Sequence, residues 1–359
     1  MRWFIISIVL FWGPVGSAFG CTTFILQDSV NLLFGRNYDY DLGTGFLVLN
    51  KRRLEKQAIV PSPHSPARWI SRYGSVTFNQ VGIDAPMGGM NEKGLVIAQM
   101  ALPETVYPEY SGKPVVNQLE WIQYQLDISA SLNEVIEHSQ RIAIVPVATP
   151  VHYLICDRQG NVGIIEFLSG KQIIRQEREI TVPVCSNMPY DQAKEALRQY
   201  RGLGGQKIIP KQWKSIADII AIAAVKVNQF THLKDHNAVD YGFEILSALG
   251  SPERTQWSVV YDIKNKSIYF RSRNNKKVRR IDLNDRDYSC NRNITVVDIQ
   301  DSHSKDGYAV PFMILTKDAY YDYKKNLMEW FKTHLYGFPN IPDEAIAEEV
   351  EYVFNRRCK

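Results

Sequence analysis

The sequence lacks an apolar run long enough to cross a bilayer. Its longest, Trp3 to Trp12 broken only by Ser7, covers about ten residues against the roughly 20 a spanning helix needs. No integral membrane segment is therefore expected after processing. Charge of one sign is lacking as well: 42 Lys and Arg stand against 38 Asp and Glu, a dispersed net +4 over 359 residues. A surplus that small gives no basis for a nucleic-acid partner. Neither CxxC nor HExxH occurs, and His64, His138, His152, His232, His236, His303 and His334 form no ligand-spaced cluster, so neither a metal nor a cofactor is expected.

Cysteine is scarce. Of the five, Cys156 and Cys185 lie in apolar strand-like runs and are expected to be small buried hydrophobes, while Cys290 and Cys358 remain a candidate disulfide. The fifth, Cys21, is the most informative residue of the chain. Before it come a charge at Arg2, the apolar run, a breaker at Gly13-Pro14, and Ser17-Ala18-Phe19-Gly20, with small residues at the first and third positions before Cys21. That is the pattern of a removable secretory leader, which makes Cys21 the first residue of the mature protein and the protein an exported one, periplasmic or secreted. Two other readings stay open: a lipidated cysteine, against which Ala18 stands where a lipobox prefers Leu, and a cysteine left internal by cleavage elsewhere.

Short apolar runs alternating with turn signals point to antiparallel sheet in an α+β chain. Hairpins are expected from Cys21–Leu26 with Leu32–Tyr40, from Met87–Ala98 turning at Asn91 to Gly94, and from His152–Phe167 turning at Gln159-Gly160. Strands return at Trp257–Ile263 and Ser267–Arg273. Helices are expected at Leu119–Leu126, after the Ser131/Glu134 capping box to about Arg141, and at Ile216–Val227, which is apolar nearly all round. The organisation that follows is a leader at 1–20, a main domain at 21–308 and a helical extension at 309–359, with amphipathic helices at Tyr320–Leu335 and Asp343–Asn355.

A terminal cysteine carries its own base. Thiol and α-amine differ by about half to one pKa unit, so moving the proton between them costs about 1 kcal/mol. With the leader attached, that amine is an amide and inert. The CGSCW signature of papain-like proteases, which borrow a histidine instead, is absent. Arg36 and Asp39, on the strand beside Cys21, are placed to hold a thiolate and to orient the amine. A regular strand sets positions 36 and 39 on opposite faces, so a bulge or a strand end near Asn37 is required. Without a template, the same Arg and Asp also read as a solvated pair, and Ser186-Asn187-Met188-Pro189 as a turn.

Cys21-Thr22, Gly35-Arg36-Asn37-Tyr38-Asp39-Tyr40, Met90-Asn91-Glu92-Lys93-Gly94-Leu95, Ser186-Asn187-Met188-Pro189 and Gln256-Trp257-Ser258-Val259-Val260-Tyr261-Asp262 occur in this order over roughly residues 21–283. Together they resemble the choloylglycine hydrolase family of bile salt hydrolases and penicillin V acylases. The resemblance implies a four-layer αββα amino-terminal-nucleophile fold acting on a small-molecule N-acyl amide, with no cofactor. It implies Cys21 as nucleophile, Arg36 and Asp39 as active-site partners, and an oxyanion held by the Asn187 side chain and the Ala101 backbone N–H. Asn91 is a turn residue on its own reading and is left structural.

One position departs from the pattern. Where the family has an arginine in a Ser-x-x-Arg-Phe stretch, this chain has Asp218 in Ser215-Ile-Ala-Asp, which tells against typical bile salt cleavage; Arg201 and Arg254 are the candidate replacements. The extension has no counterpart in the resemblance and is a candidate cover for the cleft or contact for a homo-oligomer. The rival functions are a lipid-anchored binding protein, and an acylase of acyl homoserine lactones or other lipid amides on the same fold.

Overall fold

A computed structural model of the chain describes residues 21–231, 237–291, 293–302 and 310–359. The leader at 1–20, His232, His236, His303 and the boundary between 308 and 309 lie outside the described residues.

The chain begins with the expected hairpin, Thr22–Gln27 (β1) and Leu32–Asp39 (β2). Its turn is closed by the Asp28 carboxylate, which accepts from the N–H groups of Val30 and Asn31 at 2.7 and 2.6 Å. Phe46–Asn50 (β3), the short pair Glu55–Gln57 (β4) and Arg68–Ile70 (β5), Ser75–Asn79 (β6), Pro86–Asn91 (β7) and Val96–Ala101 (β8) follow. Next come Val115–Asn117 (β9), the helices Trp121–Ile128 (α1) and Leu132–Ser139 (α2), Ala143–Val145 (β10), Val151–Cys156 (β11), Val162–Leu168 (β12), Lys171–Gln176 (β13) and Val184–Cys185 (β14). The second half holds Tyr190–Leu197 (α3), Ile216–Phe230 (α4), Ala238–Leu249 (α5), Thr255–Asp262 (β15), Ser267–Ser272 (β16), Arg279–Asp282 (β17), Thr295–Asp298 (β18), Met313–Ile314 (β19), Lys317–His334 (α6) and Asp343–Phe354 (α7).

Two antiparallel sheets carry the fold, one in the order β14-β1-β2-β15-β16-β17 and one in the order β13-β12-β11-β8-β7-β6-β3-β18-β19. Side-chain alternation sorts their residues into layers. Phe34, Tyr38, Trp257 and Tyr261 of the first sheet meet Leu47, Val76, Phe78, Met90 and Ala98 of the second in the inner core. Phe24, Leu33 and Val260 point the other way and pack with Ile219, Ile220, Ala223 and Leu246 of α4 and α5. Ile97, Tyr153 and Ile165 cover the outer face of the second sheet with Trp121, Ile122 and Leu126 of α1. Each such Leu, Ile or Phe contributes about 1.5–3 kcal/mol by leaving water. The result is an αββα sandwich of class α+β.

The sequence reading assigns no helix at 190–197 or 238–249. The first starts behind Pro189; the second has a glycine in its middle, which lowers propensity but lets α5 lie on β15, where a Cβ at Gly242 would stand 3.1 Å from a Val260 methyl. The tail is not a separate body. β19 pairs with β18, while Tyr320, Ile346, Val350 and Val353 of α6 and α7 share a core with Val48, Ile83 and Val296. Cys290 and Cys358 form a disulfide, and Arg356 pairs with buried Asp84, which also binds Lys56 at 3.0 Å. No described helix is long and apolar enough to cross a membrane.

Candidate active site

Cys21 stands one residue ahead of β1, whose register with β2 begins at Thr22↔Asn37. The strand is held on both edges, by β2 and by β14 through Thr23↔Cys185. Ser186, the residue after β14, donates its hydroxyl to the Cys21 carbonyl at 2.9 Å. The Cys21 sulfur lies 3.7 Å from the Asp39 carbonyl oxygen. Burial pushes its thiol up and the Asp39 charge adds to this, while the Arg36 charge, an Asp39 backbone contact and an Arg36 hydrogen bond pull it down. Cys156 and Cys185 are free and fully buried, as expected of packing residues, and burial pushes their thiols up as well.

Arg36 and Asp39 do lie on opposite faces of β2, as alternation demands. Arg36 points between the sheets with its guanidinium 5.5 Å from the Tyr38 ring centre. Room for it comes from Gly88 on β7, where a Cβ would sit only 2.6 Å from Arg36 Nη1. Asp39 follows Asn37 to the helix face: Asn37 donates to Leu246 O of α5 at 2.8 Å, and Asp39 Oδ1 accepts from the Thr255 hydroxyl. Cys21 meets both because β2 runs on past the start of β1. The irregularity falls on β15, where the register shifts between Thr255 and Trp257.

Among the described residues, Arg36 Nε, Arg36 Nη1 and Asp39 Oδ2 are buried with no hydrogen-bond partner. A buried charge left short of partners is costly, and such groups concentrate where a ligand or a reacting group is to be held. Burial pushes the Asp39 carboxyl up to about 6, against the opposing pull of Thr255, Arg254 and Arg36.

Asn187 and Ala101 converge from the other side. The Asn187 side-chain amide donates to the Ala101 carbonyl at 2.8 Å. Ala101 pairs with Val151 while Leu102 N–H bonds Pro150 O, a register that turns the Ala101 N–H away from β11. The last registered pair of β8 with β7 is Gly88↔Ala98, so at Ala101 that edge is open.

Sequence reasoning missed what holds Asn187 in place. His152 on β11 is fully buried; its Nε2 donates to Ser186 O at 2.7 Å and its Nδ1 lies 3.2 Å from Glu166 Oε1. Glu166 in turn accepts from Arg175 Nη1 at 2.6 Å and from Tyr190 N–H, at the start of α3, at 2.9 Å. The chain of contacts ends on Ser186, which bonds Cys21 and precedes Asn187. The one signal in sequence was a histidine opening an apolar strand run, where it needs partners.

Asp218 has a different office. It sits in the first turn of α4 behind the Ser215 cap, accepting from Tyr200 OH at 2.6 Å and from Lys214 N–H at 3.1 Å, with Lys207 Nζ 3.3 Å away. Burial alone would raise its carboxyl, but the bonds from Tyr200, Lys214, Ser215 and Lys207 outweigh this and hold it at about 2. Of the two candidate replacements for the missing arginine, Arg201 lies in the turn after α3, its N–H on Lys207 O. Arg254 reaches the site: its carbonyl accepts from Tyr40 N–H at 3.0 Å, its guanidinium is 3.2 Å from Asp41, and its charge acts on Asp39. Asn91 is structural as expected, its amide donating to Leu126 O and Ser129 O at 2.9 and 2.7 Å.

Residues 21–224, more than half of the chain, match the linear amide C-N hydrolases of the choloylglycine hydrolase family, and the chain belongs to that family of amide C–N hydrolases. It is similar to a penicillin V acylase of Pectobacterium atrosepticum, 30% identical over 159 residues, a stretch that covers 40% of this chain and 42% of that protein. It is 25% identical to a bile salt hydrolase/transferase of Lactiplantibacillus plantarum over 74% of this chain and 92% of that one. In fold it resembles a penicillin V acylase from Agrobacterium tumefaciens, with TM-score 0.70 and 24% identity over 82% of this chain and 98% of that one. A conjugated bile acid hydrolase from Clostridium perfringens gives TM-score 0.65 at 19% identity over 81% and 99%.

Proposed function

We propose that this protein is an exported cysteine amidohydrolase that cleaves linear N-acyl amide bonds with Cys21 as its amino-terminal nucleophile. The observation that carries the reading is the gathering of Arg36 and Asp39 of β2, Asn187 after β14 and Ala101 at the end of β8, three separate segments, around one cysteine at the start of a strand. Removal of residues 1–20 frees the Cys21 amine. The orphaned Asp39 Oδ2 is the acceptor suited to it, and the orphaned Arg36 donors suit the thiolate.

The thiolate attacks the amide carbonyl, and the tetrahedral oxyanion rests on the Asn187 amide and the Ala101 N–H. As the C–N bond breaks, the Cys21 ammonium gives its proton to the leaving amine and a thioester remains. The freed amine then takes a proton from water, whose oxygen adds to the thioester; the carbon–sulfur bond breaks, releasing the carboxylic acid and restoring the thiolate. The Cys290–Cys358 disulfide is in keeping with an oxidising compartment, periplasmic or extracellular.

The test joins the mass of the purified chain to its activity. A free amine at Cys21, turnover of N-acyl glycines or related amides, and loss of at least about 10⁴-fold in Cys21→Ala with folding intact are expected. An added lipid mass on Cys21 would favour the anchored binding protein, and native turnover by Cys21→Ala would reject the mechanism. A panel of glycocholate, taurocholate, penicillin V and long-chain acyl homoserine lactones assigns the acyl and amine classes.

A further inference from the structure

The family match ends at residue 224 and leaves α6 outside it, yet α6 lies against the loop that leaves the active-site strand. Its N-terminus is capped by Thr316, whose hydroxyl accepts from Ala319 N–H at 3.2 Å. Its buried stripe is Tyr320, Lys324, Leu327 and Phe331. Beside that stripe runs a second one, Tyr323, Trp330 and His334, spaced by seven and four residues and so on one side of the helix.

This second stripe covers residues 40–46. Tyr323 packs on Phe46 with ring centres 4.5 Å apart, hydrogen-bonds the Thr44 side chain, and donates its hydroxyl to Gln80 O. Gln80 in turn donates to Leu42 O at 2.5 Å. One turn pair further along, Trp330 meets Tyr40, ring centres 6.2 Å apart and planes at 49°, and is itself stacked on His334 at 4.3 Å.

Tyr40 is the residue next to the nucleophile's contact. The Cys21 sulfur is 3.7 Å from the carbonyl oxygen of the Asp39–Tyr40 peptide, and Cys21 and Tyr40 are both partly exposed on the same inner core. Tyr40 lies 6.1 Å from Tyr38, which stacks on Trp257 at 4.1 Å. The aromatic series Trp257, Tyr38, Tyr40, Trp330 thus leads from the inner core between the sheets out to the C-terminal helix.

We infer that α6 is a specificity element of the proposed hydrolase: Trp330 extends the Tyr40 side of the Cys21 site into an aromatic wall that takes the ring of an aryl-bearing acyl group. Rings prefer ring partners in offset or edge-on contact over straight alkyl chains of similar area, by a margin of about two- to tenfold per pair. The inference rests on amide hydrolysis at Cys21. The disulfide and the Arg356–Asp84 pair tie the extension to the body, so point variants rather than truncation test it.

The experiment compares the processed wild type with Trp330→Ala and Trp330→Phe on N-phenylacetyl, N-octanoyl and N-acetyl glycine. In Trp330→Ala the ratio of kcat/KM for the phenylacetyl over the acetyl substrate falls about five- to tenfold while the octanoyl ratio falls less than twofold, and Trp330→Phe restores most of the loss. Equal losses on phenylacetyl and octanoyl, or none on either, overturn the inference. Calorimetric binding of phenylacetate to the same proteins reads the wall without turnover: an unchanged Kd in Trp330→Ala also overturns it. A wild type that turns over none of the three bears on the amine class or on Cys21, and the phenylacetate Kd of Trp330→Ala then decides the inference by itself.

Discussion

The hydroxyl of Ser186 bonds the backbone carbonyl of Cys21 at 2.9 Å, joining the end of β14 to the residue that opens β1. Asn187 is the next residue along, so one short segment fixes both the backbone of the proposed nucleophile and the side chain proposed to hold the oxyanion. His152 holds the carbonyl of that same Ser186. In the proposed mechanism, positioning of Cys21 and Asn187 is thereby one problem with one buried solution, a chain of charge-assisted bonds through Glu166 and Arg175.

Asn187→Ala should lower kcat by about 10²–10³ with KM little changed, the usual size for one oxyanion donor. His152→Leu should lower kcat in the same direction by releasing Ser186, whereas His152→Gln, which keeps a donor toward Ser186 O, should recover most of it. Single-turnover acylation rates decide. Native acylation in His152→Leu would sever the proposed link between His152 and Asn187.

Asp39, pushed up to about 6 by burial, should give kcat/KM an acid limb near that pH, because in the proposed mechanism only its carboxylate holds the Cys21 ammonium. Arg254 favours the charged form, so Arg254→Ala should move the limb to higher pH, by up to about one pH unit. Asp39→Asn should abolish the limb along with most activity. A limb that stays in Asp39→Asn would belong to another group.

Asp218 should act on stability and leave the reaction alone. Its folded-state carboxyl sits near 2, below the roughly 3.9 of an unfolded chain, so its contribution is present above about pH 4 and is lost as pH falls toward 2. Asp218→Ala should lose about 1–3 kcal/mol at pH 7 because the Tyr200 O–H and the Lys214 N–H lose their acceptor, Tyr200 keeping only the bond it accepts from Lys207. Urea midpoints of the two proteins should draw together as pH falls toward 2, and a deficit as large there as at pH 7 would contradict the assignment.

The Cys290–Cys358 bridge closes a loop across a sequence separation of 68, so its loss should destabilise the protein by about 4 kcal/mol in the chain-entropy view. Paired Cys290→Ser and Cys358→Ser substitutions, followed by urea unfolding, measure this. An unchanged midpoint would mean that α7 and the Arg356–Asp84 pair hold the tail without it.

Hairpins and amphipathic helices were legible because they follow from local periodicity. Asp28 in the first turn, the Gly94 turn of the second hairpin and the Ser215 cap of α4 each state a boundary within a few residues. The helices at 190–197 and 238–249 were not, since Pro189 and Gly242 signal turns locally and it is packing, of the first against α4 and of the second against β2 and β15, that favours the helix. The face problem of Arg36 and Asp39 was legible as a problem. Its solution depended on β2 outrunning β1, which is a matter of strand register.

By itself the sequence determined where a candidate nucleophile stands: Cys21 behind a leader-like segment, at the head of a strand pattern with Arg36 and Asp39 on its neighbour. These are short-range facts. What only the tertiary structure decided is which distant groups meet it: Ser186 at a separation of 165 residues, Asn187 on Ala101 across 86, and Arg254 rather than Arg201 beside Asp39. Such meetings depend on how two sheets stack, and sheet stacking is set by the summed burial of many side chains that no single motif encodes.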